Sequence, residues 1–358
     1  SHLLAPFFAL IGCKPYLVAS YMPRSQVVSA YRGGYTVRTY GSSHADGVDT
    51  IQLETGTYTF SLAGAGEDAA ATGDLDITES LEIVGRGIDA TIVDADDLDR
   101  LLDIAADVNI VVRLSDLTLT NGAVTGLGGG ILSLGTLELT RVKISSSTAT
   151  GSGGAIHNSN GPLTITDSHL ADNQAGAGGG GLFNSLQTVT ITGSTFSGNS
   201  AGTAGGAVQN AIGIVSLSHS TLSGNQAATS GGALYNSSGS LGLTNLTIVN
   251  NTAADDGGGV AINAGAAIAR NTIIAGNTST NGHADVDASG AFTSQGNNLV
   301  GDPGTATGFS ASKDDQLGSA ATPLDAELGP LQDNGGSTPT HYPLIGGPVI
   351  DAGNNAWA

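Results

Sequence analysis

A tetrapeptide of two glycines, a small residue and an aliphatic returns through the middle of the chain at an almost fixed step. It reads Gly128-Gly129-Gly130-Ile131, Gly153-Gly154-Ala155-Ile156 and Gly179-Gly180-Gly181-Leu182, then Gly205-Gly206-Ala207-Val208, Gly231-Gly232-Ala233-Leu234 and Gly257-Gly258-Gly259-Val260. The first step is 25 residues and the next four are 26. Other columns keep the same step. Asn158, Asn184, Asn210 and Asn236 follow the aliphatic by two residues, and Asn173, Asn199, Asn225, Asn251 and Asn277 form a second amide column. Short apolar-polar-apolar segments such as Val189-Thr190-Ile191-Thr192 carry the period of a half-buried strand.

A unit this short, with strands and glycine corners, cannot bury a core of its own. Coiling solves the problem, because each strand then pairs with its equivalent one turn later. The rise per coil is one strand spacing, about 4.8 Å, so roughly ten coils span near 50 Å. Inward aliphatics stack on aliphatics, and the asparagine columns become amide ladders, as in cross-β stacks. The pattern predicts an all-β, right-handed parallel β-helix with coils of about 26 residues. A propeller needs longer blades of antiparallel strands, and a leucine-rich repeat needs its own Leu and Asn consensus.

The flanks differ. Residues 46–302 read as the β-helix, with less regular coils before residue 128 and Glu67–Thr72 as a polar surface loop. Residues 303–358 hold most of the prolines, lose the repeat and read as a cap or tail. Residues 1–45 hold no Asp or Glu but five of the eight tyrosines. Within them Leu3, Leu4, Phe7, Phe8, Leu10 and Ile11 make an apolar segment. It fits a cap on the first coil, a strand inserted into a neighbouring molecule, or the core of a secretion signal. In the last case Leu10-Ile11-Gly12-Cys13 resembles a lipoprotein cleavage box.

Composition removes several function classes. Eleven Lys and Arg against 31 Asp and Glu give a formal charge of −20, which disfavours nucleic acid as a partner because phosphate contacts need basic side chains. No apolar run is long enough for a transmembrane helix. One cysteine, Cys13, allows no internal disulfide.

The Gly-Gly-Ala-aliphatic tetrapeptide, alternating with Phe196-Ser197-Gly198-Asn199 and its aliphatic variants, resembles the repeats of chlamydial polymorphic outer-membrane proteins. Residues 46–358 as a whole are similar to bacterial secreted β-helix proteins of the choice-of-anchor Q type. The stretches that carry this likeness include Leu81-Glu82-Ile83-Val84-Gly85, Leu328-Gly329-Pro330-Leu331-Gln332-Asp333-Asn334-Gly335-Gly336 and Pro348-Val349-Ile350-Asp351-Ala352-Gly353. The resemblance implies an exported, surface-attached or extracellular bacterial protein, often adhesive. Residues 1–45 depart from it, Gly34-Tyr35-Thr36-Val37-Arg38 being a distorted echo of the expected opening.

Parallel β-helices also carry polysaccharide lyases and glycoside hydrolases, so candidate reactive groups need weighing. Arg141 and Lys143, two residues apart on one strand face, would suit an acidic sugar. Asp167 and Asp172 on one coil, and the corner pair Asp255-Asp256, are the carboxylates a hydrolase would need. Solvated cations and turn-capping aspartates are the plainer reading of all six. His283, Asp285 and Asp287 alternate, which would place three candidate metal ligands on one face; a loop beside a weakened coil is the plainer reading. Asp94, Asp96, Asp97 and Asp99 offer oxygen ligands for Ca²⁺ without the spacing of a known calcium loop. The threonines do not form one flat array through all coils, as ice binding would want. The sequence therefore predicts no catalytic residues and no required cofactor. It predicts a non-enzymatic structural or adhesive protein of the bacterial surface, with copies of itself or a glycan or cell surface as partner, and with end-to-end filaments if a terminal segment joins the rods.

Overall fold

The computed structural model describes residues 27–32, 35–40, 48–61, 73–280 and 283–357. The chain winds as a parallel β-helix. A nine-stranded sheet runs from Leu75–Ile77 to Val286–Ala288 and takes one short strand from each coil. A second, 21-stranded sheet holds two parallel ladders side by side. A third, of seven two-residue strands, runs from Ala123–Val124 to Thr278–Ser279.

One coil shows the path. Leu182–Asn184 lies in the nine-stranded sheet, Thr188–Thr192 in the first ladder, Thr195–Ser197 in the second, and Ser200–Ala201 in the small sheet. Each pairs in parallel with its equivalent one repeat on: Leu182 with Val208, Val189 with Val215, Phe196 with Leu222, Ala201 with Ala227. Alternation then decides burial. Val189 and Ile191 point inward and are fully buried, while Thr188 and Thr190 are exposed. Stacked aliphatics such as Leu163, Val189, Val215 and Leu241 fill the interior, each worth about 1.5–3 kcal/mol on full burial.

The corners explain the glycines. Gly231 sits at φ +68°, and a Cβ on Gly232 would meet the Gly258 carbonyl oxygen at 2.2 Å, so coil-to-coil backbone contact leaves no room there for a side chain. Between the two ladders lies another left-handed corner, occupied in successive coils by Asp116, Arg141, Asp167, Gly193, His219, Asn245, Asn271 and Asn297, all at φ between 48° and 60°. The long strands Val111–Thr120 and Thr136–Ser145 run through this corner and belong to both ladders.

Both ends are covered. Val27–Arg32 and Tyr35–Tyr40 form an antiparallel hairpin, which adds antiparallel to Asp49–Leu53 and closes the first coil's edge. At the other end Phe309 packs on Phe292, and the Lys313 carbonyl accepts from the Asn297 amide. The chain then returns along the outside as a two-armed strap, with bridges Leu328–Pro343 and Gln332–Thr340. Its base packs Ala326, Leu324 and Val349 on Ala275 and Leu299. Its tip is held by hydrogen bonds to the second ladder, from Thr195 to Thr338 and between His341 and Ser223, and to the adjoining corner, from Ser337 to Asp167. Leu3, Leu4, Phe7, Phe8, Leu10 and Ile11 lie outside the described residues.

Candidate functional site

The asparagine columns sit inside the rod. In the first, Asn158 Nδ2 donates to Asn184 Oδ1 at 3.1 Å, Asn184 to Asn210 at 3.0 Å and Asn210 to Asn236 at 2.9 Å. The ladder ends where Ile262 takes the next position, and Asn236 donates instead to the Ala264 carbonyl. In the second, Asn173, Asn199, Asn225, Asn251 and Asn277 each pass a hydrogen bond from Nδ2 to the next member. Each also donates to a strand carbonyl one coil back.

The second ladder ends on a carboxylate. Asn277 donates to Asp285 Oδ1 from its side chain at 2.8 Å and from its backbone at 2.9 Å, and Asp302 N–H donates to Oδ2 at 2.7 Å. Asparagine must donate onward to another coil. Aspartate only accepts, so it suits a last position with no coil beyond. Burial pushes the Asp285 pKa up to about 6, against the lowering effect of these donors. Asp315 is the last acceptor of a third column, which the sequence reading missed. Ser168, Ser194 and Ser220 each accept the backbone N–H one coil back, Thr272 and Asn298 continue the column, and Asp315 accepts from Asn298. Leu246 breaks the hydroxyl pattern, which hid the column from a search by residue type.

Of the alternating His283, Asp285 and Asp287, the structure sends the two aspartates to different surroundings. Asp285 is buried in the ladder, while Asp287 accepts from Thr305 Oγ1 outside. Asp94, Asp96, Asp97 and Asp99 do not converge either. Asp94 accepts from Asp96 N–H and Asn121, Asp96 and Asp97 are left-handed turn residues, and Asp99 is buried. Arg141 is not on a strand face with Lys143. It occupies the left-handed corner and holds Asp116 with two hydrogen bonds, of 2.6 and 2.7 Å. Lys143 lies beside His169, whose burial, with the Lys143 charge, lowers its pKa to about 4. Asp167 and Asp172 stand at two different left-handed corners, and Asp255 and Asp256 at the turn before Gly257.

The charged cluster the structure does assemble is elsewhere. Asp76 and Asp103, on the first two strands of the nine-stranded sheet, and Asp74, just before the first, bring one carboxylate oxygen each within 4.8 Å of the others. Arg100 pairs with Asp74 at 3.4 Å and with Asp103. Burial, followed by the counteracting charge of Arg100, sets the Asp74 pKa at about 8. Among the described residues these three carboxylates are the set closest to a divalent-cation site, and Arg100 already supplies a positive charge there. Pairing of Asp76 with Asp103 across coils creates the cluster, and no local motif announces it.

The two ladders of the 21-stranded sheet present different outer faces. The strap covers the second ladder. The outer positions of the first ladder hold Thr164 and Thr166, then Thr188, Thr190 and Thr192, then Ile214, Ser216 and Ser218, then Ser240, Gly242 and Thr244. No charged residue occurs on these four strands, and beside them Leu186 and Ile212 are exposed.

Residues 219–237 match the model of the Chlamydia polymorphic membrane protein repeat. The matched segment holds Leu222, Asn225, Gly231-Gly232 and Asn236, which here supply the core, both amide ladders and the corner. This short match points to a bacterial surface or outer-membrane type of β-helix protein. Neither the curated proteins nor the solved structures yielded a match. No helix among the described residues is long and apolar enough to cross a membrane.

Proposed function

We propose that the chain is an extracellular, non-enzymatic rod with a structural or adhesive role at the bacterial surface. The observation that carries this reading is the use of the polar side chains. The amides, hydroxyls and terminal carboxylates hydrogen-bond coil to coil inside the rod, which fixes register and stiffens it. The uncharged outer face suits contact with a neutral glycan or another protein surface in a molecule of formal charge −20. The repeat match supports placement at the surface. Saturable binding to glycan-coated or host-cell surfaces without turnover is the expected result. Release of reducing or unsaturated ends from a panel of polysaccharides would overturn it.

A glycoside hydrolase is the second reading, and the Asp74, Asp76 and Asp103 cluster favours it. A carboxyl kept protonated near neutrality beside other carboxylates is what a general acid needs. Loss of such activity in Asp103→Asn, with the rod intact by circular dichroism, would establish that alternative.

A further inference from the structure

Gly242 has no reason inside the rod to be glycine. It lies in the middle of Ser240–Thr244, outside the positive-φ set, and an added Cβ would meet only Ser216, at an ordinary 3.6 Å. The corner glycines, by contrast, would clash with backbone at 2.2–2.6 Å. Glycine weakens a strand, and one with no internal cause marks a place where another surface comes close.

Its surroundings say what kind of surface. Gly242 sits between Ser216 and Ile268 in the outward column of the first ladder, and Ile214, Ile212 and Leu186 are exposed nearby. The first-ladder strands from Leu163–Thr166 to Ala291–Gly296 carry a single charge, the half-buried Arg270, in a chain of formal charge −20. A second copy is repelled wherever the acidic surface faces it, and can approach most closely through this neutral face. The face also presents bumps beside a dent, the shape that one sheet needs to pack on another.

We infer that two copies of this chain pair laterally through the outer face of the first ladder, about a two-fold axis near Gly242. The axis sets the two glycines face to face at the point of closest approach and lays each Ile268 over Ser216 of the other copy. The five coils centred on Gly242, from Thr188–Thr192 to Ala291–Gly296, by one strand length amount to roughly 24 by 16 Å. Two copies then bury on the order of 800 Å² in total, the size of a weak, reversible contact. Surface display brings many copies together, so a weak contact is enough to align rods side by side. This pairing goes beyond the surface-rod reading and does not need either terminal segment as a joint.

Sedimentation velocity of the full chain across a concentration series tests it. The expected result is a sedimentation coefficient that rises with concentration. In Gly242→Val the rise should vanish, with at least a tenfold weaker association, while the melting temperature stays level or increases. Thr190→Lys should also abolish the rise. Ile345→Lys, a change of a fully exposed apolar residue on the strap, should leave it intact. A chain that stays monomeric throughout overturns the proposal. So does a dimer indifferent to Gly242→Val and Thr190→Lys, or one lost through Ile345→Lys. A lower melting temperature in Gly242→Val would mean that the glycine serves the fold after all. A monomer whose glycan binding is lost in Gly242→Val would assign the face to a glycan and leave the rod reading standing.

Discussion

The middle coils and the first coils solve the same packing problem with different chemistry. From Asn158 to Asn277 the interior mixes aliphatics with amides that bond in the same way at every step. From Asp49 to Thr120 the interior is almost wholly aliphatic, with Ile51, Leu53, Ile77, Ile83, Val93 and Leu114 at its centre. Charge instead collects in one place, around Arg100. An amide ladder specifies register, because a slip by one residue would strand buried donors and acceptors. An aliphatic column tolerates such slips more easily. The regular step therefore belongs to the laddered coils, and the irregular loops to the unladdered ones. The middle should fail through loss of hydrogen bonds and the N-terminal coils through loss of charge balance.

The largest expected effect is a break in the amide ladder at its centre. Asn225→Leu removes the acceptor for Asn199 and the donor to Asn251 and Phe196. Each buried group left unpaired costs about 1–3 kcal/mol, so denaturant unfolding should show a loss of ~3 kcal/mol or more. Because coils support only their neighbours, the transition should also broaden, as the two halves uncouple. A single sharp transition with a small loss would show that the ladder is incidental to cooperativity.

Next comes Arg100→Met at the N-terminal end. It leaves Asp74 and Asp103 without their cation in a mostly buried setting, where breaking a pair costs ~3 kcal/mol. The loss should depend on pH, unlike the ladder defect. It should be marked at pH 8.5 and smaller at pH 5, where Asp74 holds its proton. Equal losses at both pH values would contradict the burial argument for Asp74.

The pH profile of the unaltered chain separates the regions further. Asp74 titrates at about 8 in the fold and near 3.8 when unfolded. The folded state thus binds the proton more tightly, and the stability this gives is lost as pH rises through about 8. Asp285 acts in the same sense up to about 6, and Asp99 is also raised by burial. His169 acts in the opposite sense, since its lowered pKa destabilises the fold as pH falls from 6.5 towards 4. The terms oppose one another below pH 6.5. Above it His169 is neutral in both states and Asp285 ionised in both. The melting temperature should therefore decline between pH 6.5 and 8.5, and Asp74→Asn should flatten that decline.

How far the sequence could be read follows from the same contrast. The 26-residue step, the aliphatic columns and the parallel β-helix were legible because one residue type recurs at each position. The left-handed corner between the ladders was not, although it is equally regular. Asp116, Arg141, Asp167, Gly193, His219 and Asn245 share a backbone angle and no side-chain chemistry. That is why Arg141 read as sharing a strand face with Lys143, and Asp167 as a carboxylate to be weighed for catalysis. The course of the strap was not legible for a different reason, although residues 303–358 read as a cap or tail. Its contacts, such as Thr338 with Thr195, join residues more than a hundred positions apart and never repeat. Asp285 read as a candidate metal ligand because His283 and Asp287 flank it, and sequence alone does not show that an amide ladder ends at that position.

The smallest expected effect tests that ending. Asp285→Asn keeps the shape and one acceptor oxygen, but supplies an N–H where Asp302 already donates. The cost should be about 1 kcal/mol, well below that of Asn225→Leu. A carboxylate at Asn225, by the same logic, should cost several times more, because an acceptor-only group in mid-ladder takes the side-chain donor from the Phe196 carbonyl, leaves Asn251 Oδ1 with only the backbone N–H of residue 225, and buries a charge. Equal costs for Asp285→Asn and Asn225→Asp, measured by denaturant unfolding, would mean that position along the ladder does not matter. The carboxylate would then be an accident of sequence rather than the natural terminus of a row of amides.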